Sequence, residues 1–590
     1  MTVATQRKLN DINVMVAGQG GDGSLTVANL LGGLLSRHGF RMYNARDVAS
    51  RIKGGHAAAL LRGSIAPRGC MGDALDLLVA FDEEAVQRGG SWLAEDGFVI
   101  FDSSGGPAPR HYLPDGATVY EVPFARLAVR DLRRDLFKNS LGFGVVARIL
   151  SASDDEAADV LTQRFAHLPE RVAAANLQAL GAGFDYADDA GLRPGMGPLI
   201  LDEAPNSERI LISGNEATAF GFLVAGGRFF TGYPITPASE ILTWLERRLP
   251  DFGGVAIQAE DELAAVNMAI GAAMTGVRTM TATSGPGISL MQEGVSHLGS
   301  AEIPLVVVDC QRSGPSTGMP TKSEQSDINM LVHGGNGDFP RIVLAPATPT
   351  DCFELAAAAT NLARRIQGPV YLILDQAVSQ DRVTVEPFNL GAIEPAPGKR
   401  VTADDLAEMG EYRRYALTGD GVSPWAVPGT PHAMSLVTGN ERNEWGQVAT
   451  DASNRAAMMD KRMRKIETVR GELPAGYRWG DQTAALGLLG IGMELGVMEE
   501  ATERLSAAAI PVSGFQPRTL WPVLDETIEF VRSHERVYVV EHNAEGQLSH
   551  LIASVGAPHA RLRSILKYDG VPFRPGELAA RILESEGVPS

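Results

Sequence analysis

The sequence predicts an α/β protein built from three α/β domains, and three observations carry that prediction. Short apolar runs such as AspIleAsnValMetValAlaGly (11–18), ProLeuValValValAsp (304–309) and ArgValTyrValValGlu (536–541) recur along the chain. They alternate with Ala/Leu/Met-rich segments of helical length, which argues for mostly parallel sheets. Glycine is abundant, 65 of 590 residues, as the many turns of α/β units require, and the length exceeds what one hydrophobic core serves.

Residues 1–200 read as a first α/β domain. Its strand 11–18 ends in glycine, a helix-like segment follows at Leu25–His38, and further strand runs lie at Asp76–Phe81 and Phe98–Phe101. Residues 185–207, polar and rich in Pro, Gly and Asp, read as a linker. A second domain spans 208–385. Its strand candidates are Arg209–Ser213, GlyArgPhePheThrGly (227–232), Val255–Ala259, Arg278–Thr283, Pro304–Asp309, Arg341–Ala345 and Pro369–Asp375. Residues 386–475 form a connecting segment. Within it, Ala456–Arg470 predicts an exposed charged helix whose basic run is a solvated face or a subunit contact. The third domain, 476–590, has LeuGlyLeuLeuGlyIleGly, a long helix near Glu494–Ala508 and the strand 536–541.

Bulk properties exclude several classes. A net charge of −19 argues against nucleic-acid binding. No apolar run reaches the roughly 18 residues of a membrane span, and the first ten residues lack a signal peptide's apolar core. Both point to a cytoplasmic protein. The three cysteines, Cys70, Cys310 and Cys352, are far apart and form no CxxC. An iron–sulfur cluster takes about four cysteine ligands, so any such cluster belongs to another chain.

Four stretches carry chemistry. In PheThrGlyTyrProIleThrProAlaSerGlu (230–240), Pro234 and Pro237 fix the backbone around Thr236 where a strand hands over to a helix. Open α/β sheets bind ligands at such points, though a plain proline-rich turn has the same residues. In 258–276, Glu260, Asp261 and Glu262 meet the start of a small-residue helix, where carboxylates are favoured as caps or as functional groups. ThrSerGlyProGly (283–287) is a tight turn in which Ser284 and Gly285 open backbone to a planar ring. AspCysGlnArgSerGlyProSerThrGlyMetProThrLysSerGluGlnSerAsp (309–327) puts Arg312 at a strand end, and a guanidinium fork matches a carboxylate. A fifth loop, GlyGlnGlyGlyAspGlySer (18–24), suits either a structural turn or a phosphate cradle.

Together these stretches resemble the 2-oxoacid:ferredoxin oxidoreductases, most closely the 2-oxoglutarate enzymes with a gamma domain fused to the alpha subunit. The resemblance covers most of the chain: a gamma-like domain, a thiamine-diphosphate pyrimidine-type domain and a transketolase-C-like domain. It extends to PheGlnProArgThrLeuTrpPro (515–522) and ValGluHisAsnAlaGluGlyGln (540–547). It implies that Tyr233, Thr236, Arg312, Thr317 and Thr321 bind the 2-oxoacid, with Gln325 in support. It implies that Pro237, Ser284 and Gly285 face thiamine diphosphate and that a glutamate activates it. The family's glutamate stands nine positions before Gly271, which gives Glu262, with Glu260 as the alternative. Coenzyme A binding falls to Gly18, Gly20, Gly21, Arg51 and Lys53.

No metal site is expected. Gly21-Asp22-Gly23 has the triplet that thiamine enzymes use for Mg²⁺, but Asn29 and Asn44 stand at the wrong distance. A beta subunit would supply Mg²⁺ and a [4Fe–4S] cluster in an (αβ)₂ assembly that reduces ferredoxin. Arg442, in GlyAsnGluArgAsnGlu (439–444), departs from the family's Glu-His pair. Two other readings share some of these features: a pyruvate, branched-chain or aryl 2-oxoacid enzyme, and a non-catalytic nucleotide-binding subunit.

Overall fold

A computed structural model describes residues 9–48, 55–192 and 208–588. Among these described residues twenty strands are interspersed with helices, and the α/β class holds. The strands are β1 (Asp11–Gln19), β2 (Arg41–Val48), β3 (His56–Ser64), β4 (Leu75–Ala80), β5 (Leu93–Asp102), β6 (Thr118–Val122), β7 (Ile210–Ser213), β8 (Phe229–Gly232), β9 (Val255–Gln258) and β10 (Thr279–Thr283). They continue with β11 (Leu305–Cys310), β12 (Ile342–Leu344), β13 (Pro369–Leu374), β14 (Arg382–Val385), β15 (Tyr477–Gly480), β16 (Leu486–Leu489), β17 (Val512–Gln516), β18 (Thr519–Trp521), β19 (Arg536–Glu541) and β20 (Leu562–Leu566). Contacts group the chain into two units.

The first unit comprises residues 1–211 with two returning segments, Asp381–Glu386 and Arg574–Glu577. Its sheet order is β6-β5-β4-β1-β3-β2-β14-β7. Seven of the nine β1 residues are buried, as suits a strand covered on both faces. The sheet is mixed: β1 runs parallel to β4, while β2, β3 and β14 pair antiparallel. The 185–207 linker begins later than its composition suggests, because residues 185–189 complete the helix Glu170–Asp189. Buried Phe184 and Ala187 tie that end to the core.

The second unit holds two sheets. Seven strands run in the order β18-β12-β13-β11-β10-β8-β9 and five in the order β15-β17-β16-β19-β20. All neighbours in the first are parallel except β18, a strand from the C-terminal region that pairs antiparallel with β12. One apolar core spans both sheets, with Val307, Ile373, Phe515 and Val539 among its members.

The helix Ala452–Val469 corrects the expectation of a solvated basic face. Lys461 and Lys465 are essentially fully buried, and both pair with the equally buried Glu302, at 2.6 and 2.7 Å. Glu302 terminates the helix Gly285–Ala301 in the left-handed region (φ 57°), which a non-glycine residue adopts at a cost. The lysines, together with Arg414, hold its carboxyl far below the usual range despite burial. Arg442 is also fully buried; it donates to Ser300 Oγ (2.9 Å) and Tyr415 Oη (3.2 Å). Its loop is anchored to the core.

Candidate active site

In a parallel sheet the carboxyl ends of neighbouring strands line up, and the helices that follow start there. Four strands of the seven-stranded sheet deliver the singled-out stretches to that edge. Residues 233–237 follow β8, Glu262 follows β9, Ser284 follows β10, and Gln311 and Arg312 follow β11. Segments up to about eighty positions apart in sequence thereby meet.

Arg312 is 7 % exposed and its Nη1 donates to the Thr236 carbonyl at 2.8 Å. Its Nε is buried with no partner among the described residues. Burial lowers its pKa, while Asp327 and then Glu262 oppose the shift. Thr236 is half-buried and Tyr233, 41 % exposed, stands at the rim. Pro237 is buried, and its carbonyl accepts from Asn215 Nδ2 at 2.9 Å. Asn215 sits fully buried on the helix Gly214–Val224 and locks the turn from below. Nothing in the local sequence marks this role; only the capping box formed by Ser213 and Glu216 places the helix start.

The three adjacent carboxylates have separate positions. Asp261 caps the helix Glu262–Met274 by accepting from the Ala264 amide at 2.6 Å. Glu260 is exposed. Glu262 is 6 % exposed, and no donor among the described residues bonds its carboxylate. It packs against Gly287, where an added Cβ would lie 2.7 Å from Glu262 Cγ and 1.9 Å from Thr283 Oγ1. Gly285 makes the same allowance for Asp327, whose Oδ2 would lie 2.6 Å from a Cβ there. Ser284, fully buried, precedes the helix Gly285–Ala301; its hydroxyl caps nothing and has no partner among the described residues.

Two further carboxylates lie beneath this edge and carry no sequence signal of their own. Asp309, next to last in β11, faces Asp327, and burial followed by their mutual repulsion pushes Asp309 well up. Burial and Glu324 push Asp327 up to about 7, against the pull of Arg312.

The loop after Arg312 is braced by Glu324, which accepts from Ser313 Oγ at 2.6 Å and the Gly314 amide at 3.2 Å. On it Thr317 is exposed and Thr321 half-buried. Gln325 is a correction. Its Nε2 donates to Asp375 Oδ2 (3.1 Å) and the Ile491 carbonyl (3.0 Å), and its Oε1 accepts from the His542 amide (3.3 Å). It clamps the two sheets of this unit together, with both amide protons committed and the side chain buried away from the edge.

In the first unit, Gly18 is the next-to-last residue of β1, paired with Ala57, and Gly20 and Gly21 lie between β1 and the helix Ser24–Arg37. Gly21 and Gly23 have φ of 100° and 94°, which glycine adopts without strain. Three amides there are already used: Gly20 donates to the Gly55 carbonyl (2.8 Å), Asp22 to the Gln19 carbonyl (3.0 Å) and Ser24 to Asp22 Oδ1 (2.8 Å). Arg51 and Lys53 lie outside the described residues. Among the described residues no group of three His, Cys, Asp or Glu could hold a metal ion, and no helix is long and apolar enough to cross a membrane.

The edge fits the ring end of thiamine diphosphate: a buried carboxylate without a donor and, close by, a buried hydroxyl without a partner.

Comparison with known proteins bears directly on this edge. Residues 221–461 match the family model for the thiamine-diphosphate-binding part of pyruvate flavodoxin/ferredoxin oxidoreductase, and residues 13–186 match the pyruvate ferredoxin/flavodoxin oxidoreductase model. The alpha subunit of a Sulfolobus 2-oxoacid:ferredoxin oxidoreductase is 30 % identical, over 97 % of this chain and 96 % of its own length. Subunit KorA of a 2-oxoglutarate oxidoreductase from Mycobacterium tuberculosis is 34 % identical over 76 % of this chain and 69 % of its own. A solved 2-oxoglutarate:ferredoxin oxidoreductase from Magnetococcus marinus, with 2-oxoglutarate, coenzyme A and succinyl-CoA bound, is 32 % identical. It superposes with a TM-score of 0.91 over 98 % of this chain and 99 % of its own. With two family models on its first two regions and full-length relatives at this identity, the chain belongs to the 2-oxoacid:ferredoxin oxidoreductases, as an alpha subunit.

Proposed function

We propose that this chain works with a beta subunit as a 2-oxoglutarate:ferredoxin oxidoreductase. The reaction converts 2-oxoglutarate and coenzyme A into succinyl-coenzyme A and CO₂, with two electrons leaving on ferredoxin, and it reverses with a strong enough reductant. The observation that carries the reading is Arg312: a buried guanidinium fastened to the Thr236 carbonyl by one arm, with Nε unpaired. A planar fork held at the carboxyl edge of a parallel sheet suits the C1 carboxylate of a 2-oxoacid. The 2-oxoglutarate enzymes among its relatives support the choice of substrate.

Each residue then has a task. Arg312 binds and orients the carboxylate. The Thr236 hydroxyl, set by Pro234 and Pro237, donates to the 2-oxo oxygen, while Tyr233, Thr317 and Thr321 close the rim. Thiamine diphosphate, when bound, supplies the carbanion chemistry of decarboxylation. Pro237, Ser284 and Gly285 flank its ring, and Glu262 holds and returns a proton at the ring nitrogen. The beta subunit contributes Mg²⁺ and a [4Fe–4S] cluster, and the 18–24 loop with Arg51 and Lys53 receives coenzyme A.

The test is ferredoxin reduction by the co-purified complex on a panel of 2-oxoacids. The expected order puts 2-oxoglutarate first in kcat/KM. A higher value for pyruvate or a branched-chain 2-oxoacid would overturn the substrate assignment.

A further inference from the structure

At the opposite, amino-terminal edge of the seven-stranded sheet, arginines gather without a carboxylate. Arg278 precedes β10 and Arg364 lies on the helix Pro349–Ile366, 5 % exposed. The charged groups acting on them are all cations: Arg228 on Arg278, and Arg278 and Arg400 on Arg364. Among the described residues none of the four forms an ion pair. Burial, then Arg278 and Arg400, push Arg364 down to about 10, which still leaves it charged at neutral pH.

Neutral acceptors take part of the load. Arg364 donates through Nη2 to the Gly276 carbonyl, and its guanidinium stacks 4.6 Å from the Trp425 ring centre. Arg278 donates to Asn361 Oδ1 at 2.8 Å and to the Ala396 carbonyl. Arg364 Nη1 remains buried and unpartnered. Beside it is a cavity of about 10 Å³, lined by Arg278, Arg364, Thr279, Thr360, Pro304 and Val306. That is about the least that holds one water-sized occupant, so a halide would have to press the lining outward slightly. The two lining hydroxyls direct their protons elsewhere, Thr360 to the Ala356 carbonyl (2.7 Å) and Thr279 to the Val277 carbonyl (3.2 Å). The donors open to an occupant are therefore guanidinium N–H groups.

A buried cation without a counter-charge is costly, and arginine does not escape by losing its proton. We propose that this cavity binds a monatomic anion of the chloride class, held by Arg364 and Arg278. The ion neutralises the cluster and fastens the connecting segment, through Ala396 and Trp425, to the sheet's amino edge. The site is separate from the carboxyl edge and carries no part of the reaction.

The experiment replaces chloride by bromide in crystals of the full chain with its co-purifying partner and collects anomalous diffraction. The expected result is a bromide peak within contact of Arg364 Nη1. In solution, the melting midpoint should climb with chloride at constant ionic strength against gluconate, and Arg364→Gln should flatten that dependence. A water with no bromide signal at this position would overturn the proposal. So would equal midpoints in chloride and gluconate for the wild-type chain, which needs no variant to fold.

Discussion

The Arg312–Thr236 contact makes the sharpest residue-scale predictions. Losing a charged hydrogen bond costs about 1.5–3 kcal/mol, so Arg312→Ala should lower kcat/KM for the 2-oxoacid by about 10- to 150-fold. Arg312→Lys should be impaired as well, since an ammonium lacks the fork. A normal specificity constant in Arg312→Ala would refute the role. Glu262→Gln keeps size and burial but cannot exchange a proton, and a positioned acid–base group is worth about 10²–10⁴-fold. Hydrogen–deuterium exchange at C2 of thiamine diphosphate in the complex measures this before any 2-oxoacid is added. Slow exchange in Glu260→Gln alone would move the role to Glu260. Asp327 gives a pH prediction. Its carboxyl is raised to about 7 in the folded chain, so its favourable contribution is complete below the ordinary carboxylate range. That contribution is lost as pH rises through about 7. Asp327→Asn should therefore flatten the fall in stability between pH 5 and 7, as followed by urea midpoints; an unchanged slope would contradict this. Arg312 and Glu262 were legible because each ends a strand run or begins a helix run. Asp309, Asp327 and Asn215 were not, because their meaning comes from neighbours distant in sequence.

At the scale of elements, most named strand runs were read to within one or two residues: β11 is Leu305–Cys310 against 304–309, and β19 is identical to its sequence reading, whereas β5, Leu93–Asp102, begins five residues before its reading of Phe98–Phe101. Buried parallel strands are continuous apolar runs, so local sequence suffices. The helix Ala452–Val469 was misread because charge normally marks a solvated face. What reverses it is Glu302, far upstream, which turns two lysines into core residues. Breaking a buried ionic cluster by removing one partner costs about 3–5 kcal/mol. Glu302→Gln should lower stability by that amount, read as a shift in urea midpoint with unchanged slope. A loss below about 1 kcal/mol would mean that the lysines find other acceptors.

For the whole molecule, the three cysteines are all buried: Cys70 lies in the loop between β3 and β4, Cys310 on β11 and Cys352 on the helix Pro349–Ile366. The purified chain should be colourless and the complex brown; stoichiometric iron in this chain alone would sink the assignment of the cluster to the partner. The division into units was only partly legible, because strands from late in the sequence complete sheets begun early. Strand β14 pairs with β2, and the Met42 amide donates to Thr384 Oγ1 at 2.9 Å across 342 residues of chain. That pairing sets a timetable for biosynthesis. At about 5–20 residues per second, the first sheet stands with β2 as a bare edge for roughly 17–70 s before its neighbour leaves the ribosome. Unpaired edges recruit other strands, so β2 is the edge of this sheet most open to wrong pairing during that interval.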